Sequence, residues 1–199
     1  MRDALLILVG YVLGSMPWGY WLPRLVTGAN IRAVGSGNTG AANVWRTQGF
    51  KLGLSVALLD VAKGFVAALL GLWLGNELIG LLAGIAALVG HWRPLFMGFA
   101  RGGKIVATTA GVALALAPLA TLAMAAVWIV TFLVTRYTSV ASLLSAATLP
   151  LFAVLFGASW LVVAFTVGAA IAIFVLHRAN IGRLLNRTEN RFVLGRRTT

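Results

Sequence analysis

Apolar runs long enough to cross a lipid bilayer fill most of this chain. A spanning helix needs about 20 predominantly apolar residues. Seven stretches come near that length, at 3–24, 52–75, 77–97, 104–117, 119–135, 139–156 and 158–178. The fourth is short, the third runs into a polar patch at His91, and two boundaries are marked only by Pro118 and Gly157, so six spans is the alternative count. In hydrocarbon each backbone N–H and C=O needs a partner within the protein, which a helix supplies from its own segment. The expected fold class is therefore all-α: a polytopic integral membrane protein with about seven transmembrane helices.

Composition agrees. Of 199 residues, 60% are hydrophobic and only 10% are charged, against about a quarter charged in a soluble domain. That leaves too little polar surface to coat a soluble globule. Arg2 followed by the apolar run Ala4–Leu13 imitates a secretory signal. The run continues well past the usual signal length and no A-x-A pattern follows, so it is expected to stay as the first span. The chain contains no cysteine, which excludes disulfides and thiolate chemistry. One membrane domain covering 1–199 is expected, ending in a basic cytoplasmic tail over 179–199 whose later basic residues, those after Arg183 through Arg197, lie on the lipid surface.

The net charge of +12 would suggest nucleic acid in a soluble protein. Here the basic residues lie between apolar runs, so they read as topology signals and anionic-lipid contacts, with no nucleic-acid partner. With the N-terminus outside, the inner segments hold Arg24, Arg32, Arg46, Lys51, Arg93, Arg101, Lys104, Arg136, Arg178, Arg183, Arg187, Arg191, Arg196 and Arg197, 14 of the 16 basic residues. Lys63 lies within a span and Arg2 alone is left outside. The outer connections, near Gly75–Glu77, Ala117–Pro118 and Gly157–Ala158, carry no Lys or Arg. This asymmetry is what a cytoplasmic C-terminus predicts.

Four inner polar segments could carry chemistry. In the first, Gly35, Gly37 and Gly40 spell G-x-G-x-x-G. A dinucleotide site would need a strand before it and a βαβ unit around it, and apolar spans flank it instead. What remains is a glycine-rich nest able to turn amides toward an anion, with Ser36, Asn38 and Asn43 as hydrogen-bonding side chains and Arg46 as a forked cation. In the second, Gly98, Gly103 and Lys104 fit G-x-x-x-x-G-K, but Ile105 occupies the place of the magnesium-binding hydroxyl. The remnant is Arg101-Gly102-Gly103-Lys104, two cations around a flexible backbone. The third runs from Arg136 through Ser139 to Ser142, hydroxyls that cap a helix or meet a ligand. In the fourth, His177, Asn180 and Arg183 recur at three-residue steps and share a helix face. Asp60 and Lys63 sit three apart inside a span, a structural ion pair or a pair that shapes the site. Gly71, Gly75, Gly80 and Gly84 read as helix-packing contacts.

The four acids, Asp3, Asp60, Glu77 and Glu189, cannot make a carboxylate pair on one inner surface. Carboxylate-dyad hydrolysis and magnesium-dependent phosphoryl transfer are disfavoured, and no metal site is expected. A transporter for phosphorylated anions is the rival reading. It is weakened by the lack of an inverted repeat.

Taken together the motifs are Gly-Ser-Gly-Asn-x-Gly-Ala-x-Asn-Val at 35–44, Asp60-x-x-Lys63-Gly64, Gly90-His91, Gly-Gly-Lys at 102–104 with Val-Ala-Thr at 106–108, Tyr137-x-Ser139-x-x-Ser142 and His177-Arg178-x-Asn180-Ile181-x-Arg183-Leu184. In these the chain resembles the bacterial membrane glycerol-3-phosphate acyltransferases that use acyl phosphate, the PlsY family. It departs at Ala42 (often Thr in that family), at Ile105 and Arg187 (usually Gly), and in a loop one residue longer around Ala100. The resemblance implies about seven spans in the cytoplasmic (inner) membrane, a site facing the cytoplasm, and no cofactor. It implies transfer of a fatty acyl group from acyl phosphate to the sn-1 hydroxyl of glycerol 3-phosphate. The products are lysophosphatidic acid and phosphate, the first step of phospholipid synthesis. The residues expected to act are His177, Lys104, Asn180 and Ser142. Those expected to bind substrate are Gly35, Ser36, Gly37, Asn38, Gly40, Ala41, Asn43, Arg46, Gly102, Gly103 and Ser139. The base is His177 or an oxygen of the donor phosphate. A functional monomer surrounded by membrane lipids is expected.

Overall fold

The computed structural model describes residues 1–192, all helical or irregular, with no strand among them. They form two compact units, Met1–Leu116 and a second beginning at Ala117. Arg196 and Arg197, counted in the inner charge, lie outside the described residues.

In the first unit α1 (Arg2–Gly14) stops before Pro17, and α2 (Trp18–Thr27) follows. The helix expected over 3–24 is interrupted between these two, which together, Arg2–Thr27, still make one stretch long and apolar enough to cross. Pro17 has no N–H to donate and its ring crowds the preceding turn. α2 ends at Gly28, whose φ of 72° gives the left-handed stop. A 3-10 turn at Ile31–Ala33 and the Gly-rich loop lead into α3 (Ala41–Gln48) and then α4 (Phe50–Leu74). The Asn76 side chain caps α5 (Glu77–Trp92) by accepting the Ile79 N–H at 3.0 Å. After a second 3-10 turn at Leu95–Met97 comes α6 (Val106–Leu116).

Small residues set how these helices pack. Gly10 and Gly14 of α1 lie on the backbone of Ala83 and Ala87 in α5, so close that an added methyl would overlap it. Gly64 of α4 and Gly111 of α6 meet Thr108 and Val61 in the same way. Gly71 lies on Gly80, and Gly84 on Val112, as their spacing predicted. Between helices already solvated by lipid, such close van der Waals contact is a main source of association. Leu58 and Trp73 face outward, 60% and 81% exposed, where lipid replaces water.

In the second unit α7 (Pro118–Thr135), with proline at its first turn, packs on α8 (Thr138–Leu155), and α8 packs on α9 (Trp160–Leu176). At His177 the chain bends by 58° into α10 (Arg178–Leu185). The part of the tail expected on the lipid surface instead folds back. The Phe192 N–H donates to the Arg136 carbonyl at 2.9 Å, and its ring stands edge-on to Phe132 at 5.4 Å. Arg191 donates to the Thr135 carbonyl at 3.3 Å. Burying Phe192, only 7% exposed, favours docking over a loose basic tail.

Five helical stretches are long and apolar enough to cross a bilayer, α1 with α2 counting as one, and α9 with α10 makes a sixth. α6 has 11 residues, about 16 Å at 1.5 Å per residue, short of a ~30 Å hydrocarbon core. The chain is an integral, multi-span membrane protein.

Candidate active site

The Gly-rich loop is organised by one side chain. Asn43, in the first turn of α3, is 2% exposed. Its amide nitrogen donates to the carbonyls of Ile31, Val34 and Asn38 at 3.3, 3.1 and 3.0 Å, and its Oδ1 accepts the Ser36 N–H at 2.9 Å. Gly35 and Gly37 turn the chain through φ of 60° and 67°, a region glycine enters at little cost. Asn38 accepts the Gly40 N–H at 2.8 Å, and Gly37 donates to the Val34 carbonyl at 3.1 Å. The expected phosphate nest is thus partly internal, because the amides of Ser36, Gly37 and Gly40 bond within the loop. Asn43 is the loop's scaffold. Ser36 is exposed, while Ala41, which opens α3, is half-buried against Ile31, Val44 and Val56. Arg46 lies one turn beyond Asn43 and is half-buried.

The second loop is anchored, not flexible as expected. Gly102 and Gly103 donate to the carbonyls of Trp92 and His91, at the end of α5, at 2.9 and 3.1 Å. Exposed Arg93 bonds across its own loop, its guanidinium donating to the Phe99 carbonyl at 3.2 Å and its own carbonyl accepting Tyr11 Oη at 2.9 Å. Ile105 has a φ of 59°, an uncommon state for a β-branched residue, and is 5% exposed. That is a position where the resemblance leads one to expect glycine. Half-buried Lys104 stands between the bonded Gly103 and the buried Ile105.

In the second unit Ser142 accepts the Trp128 indole N–H at 3.2 Å, which leaves its own hydroxyl hydrogen to donate. Ser139, one turn earlier, is buried. His177 sits at the bend, 4% exposed, with Nδ1 at 2.8 Å from the Ile173 carbonyl. A carbonyl only accepts, so Nδ1 carries the hydrogen and Nε2 is the basic nitrogen of the neutral ring. Asn180 and Arg183 share a face as their spacing predicted, and both donate to Glu189, at 2.6 and 2.7 Å.

Sequence reading had set Glu189 aside. Its one signal was a lone acid between Arg187 and Arg191. Burial alone would raise its carboxyl pKa. Hydrogen bonds from Asn180 and Arg183, with the Arg183 charge, outweigh that and hold it below the usual carboxylate range.

A family model described as glycerol-3-phosphate acyltransferase matches residues 4–187. The chain belongs to the glycerol-3-phosphate acyltransferase family. The family's enzyme from Desulforudis audaxviator is 47% identical over 191 residues, covering 95% of this chain and 96% of its own. That from Brucella ovis is 44% identical over 185 residues, covering 93% and 90%. A crystal structure of PlsY, an integral membrane glycerol 3-phosphate acyltransferase, in its glycerol 3-phosphate form matches with a TM-score of 0.92. It is 37% identical and covers 97% of this chain and 96% of that one. The lysophosphatidic acid form matches at 0.88, with 36% identity and the same coverage. Family membership makes the chain an acyltransferase, and one with the all-helical membrane fold of these relatives.

Proposed function

We propose that this chain moves a fatty acyl group from acyl phosphate to the sn-1 hydroxyl of glycerol 3-phosphate at the cytoplasmic face of a bacterial inner membrane. The supporting observation is its likeness, at 37% identity over nearly the whole chain, to PlsY in a glycerol 3-phosphate form. Positive-inside charge supports seven crossings with the N-terminus outside, α6 being the short one. The working unit is a monomer acting as one membrane domain.

The hydroxyl oxygen attacks the acyl carbonyl carbon, the carbon–oxygen bond to phosphate breaks, and phosphate leaves with that electron pair. The donor is already activated, so no nucleotide enters. The segment Gly35–Ala41 holds the donor phosphate through the Ser36 hydroxyl and the opening of α3, with Asn38 and Asn43 shaping it. Arg46, Lys104, Ser142, His177 and Asn180 hold glycerol 3-phosphate. Ser139, one turn before Ser142, lines the same substrate, and Gly102 with Gly103 aims Lys104. Positioning and charge stabilisation supply most of the rate. The hydroxyl proton passes to an oxygen of the departing phosphate, and His177 orients the acceptor.

The test supplies purified protein in detergent with labelled glycerol 3-phosphate, a chelator, and either acyl phosphate or acyl-CoA. Lysophosphatidic acid and an equal amount of phosphate are expected from acyl phosphate only. Product from acyl-CoA would overturn the donor assignment. Anion flux in liposomes without product would favour the transporter.

A further inference from the structure

Asp60, Lys63 and His91 form a buried cluster that the reaction above leaves unused. They are 2%, 5% and 7% exposed. Asp60 and Lys63, one turn apart on α4, pair at 2.8 Å. Lys63 also donates at 3.0 Å to the Met16 carbonyl, at the break between α1 and α2. His91, in the last turn of α5, brings Nδ1 to 3.5 Å from the Asp60 carboxylate. Ion pairs this deep are costly to build, and replacing one with apolar residues is often neutral or stabilising. Stability alone is a weak reason for the cluster.

The far edge of the same imidazole supplies a better one. It lies directly against Gly103. A methyl added there would overlap the ring, and its three nearest atoms would all belong to His91. Gly103 does not take a positive φ, so its backbone has no need of glycine. The ring has that need. Gly103 also donates to the His91 carbonyl at 3.1 Å, and Lys104 follows directly.

We propose that Asp60, Lys63 and His91 are positioning residues that hold the His91 ring as a floor beneath Gly103 and thereby fix the direction of Lys104. This rests on the reading of Lys104 as a glycerol 3-phosphate contact. The chain of force is short: Met16 carbonyl to Lys63, Lys63 to Asp60, Asp60 to His91, His91 to Gly103.

The test compares His91→Ala, Gly103→Ala and the double variant in purified protein. Gly103→Ala is expected to raise KM for glycerol 3-phosphate about tenfold or more, with KM for acyl phosphate within about twofold. Adding His91→Ala should bring KM back to about that of His91→Ala alone, because the methyl enters the space the ring has left. Independent, multiplying effects, or an unchanged KM in Gly103→Ala, would overturn the proposal.

A second readout needs no substrate. His91→Ala, and Asp60→Leu with Lys63→Met, which together leave no unpaired charge, should speed hydrogen exchange at the Gly102 and Gly103 amides about tenfold or more. Unchanged exchange in these variants would also overturn it. Should the unaltered protein make no lysophosphatidic acid, the functional reading fails, while the exchange rates still decide the floor.

Discussion

The side-chain amide of Asn180 donates to the Glu189 carboxylate over 2.6 Å, and Arg183 grips the other carboxylate oxygen at 2.7 Å. This bond fixes which way Asn180 turns, since its nitrogen is committed to Glu189 and its oxygen points elsewhere. Glu189→Gln places an amide N–H₂ where Arg183 or Asn180 needs an acceptor. It should cost about 1–3 kcal/mol of stability, read as a lower thermal midpoint in detergent. The pH dependence follows from the sign of the shift. The folded carboxyl pKa is held low, so the unfolded chain binds the proton more readily. The contribution is present above about pH 4.3, the ordinary glutamate value, and is lost as pH falls toward the folded one. Glu189→Gln should flatten that acid limb. An unchanged limb would detach Glu189 from the stability of this unit.

Asn43→Ala removes four hydrogen bonds of the Gly-rich loop in one step. The Ile31 and Asn38 carbonyls and the Ser36 amide then need other partners, while the Val34 carbonyl keeps Gly37, for a cost of about 2–4 kcal/mol. Asn43→Asp keeps the acceptor for Ser36 but loses both donors. Both variants should raise KM for acyl phosphate more than KM for glycerol 3-phosphate in steady-state kinetics. The reverse order would place this loop on the acceptor instead.

His177→Asn separates orienting the acceptor from taking its proton. With the donor phosphate as proton acceptor, kcat at saturating glycerol 3-phosphate should stay within about tenfold while KM rises. A kcat loss of roughly 10²-fold or more would make the imidazole the base.

Arg187 is exposed and holds a φ of 57°. A side chain in the left-handed region costs about 1 kcal/mol, part of which glycine returns as lost entropy. Arg187→Gly should therefore raise stability by about 0.5 kcal/mol with unchanged kinetics, measured by thermal unfolding. Ile105, at a φ of 59°, is not the same case. Its side chain is buried, and trimming it would lose more in packing than the backbone gains.

The membrane class and the small-residue helix contacts were legible because both follow from composition and spacing along one helix. So was the face shared by Asn180 and Arg183. What escaped was contact made across distance in sequence. Pro17 announces an interruption of the first helix, but nothing local announces that Lys63 bonds the Met16 carbonyl there, 47 positions back. Nor does a Gly-Gly-Lys string reveal that one glycine is demanded by a histidine 12 positions earlier. Phe192 read as part of a basic tail because its partner, Phe132, lies on α7, with three helices between. The Gly-rich loop was half legible: its glycines announced the turn, but not that Asn43, Val34 and Asn38 would take up the amides thought to face phosphate.

The account depends most on the cationic segments meeting substrate from one side of the membrane. The chain has no cysteine, so single cysteines report sidedness cleanly. Ser36→Cys and Arg178→Cys, both at exposed positions, should react with a membrane-impermeant maleimide in inside-out vesicles and stay unlabelled in right-side-out ones. Labelling of one from each side would leave the donor loop and His177 on opposite faces of the bilayer, and would contradict the account.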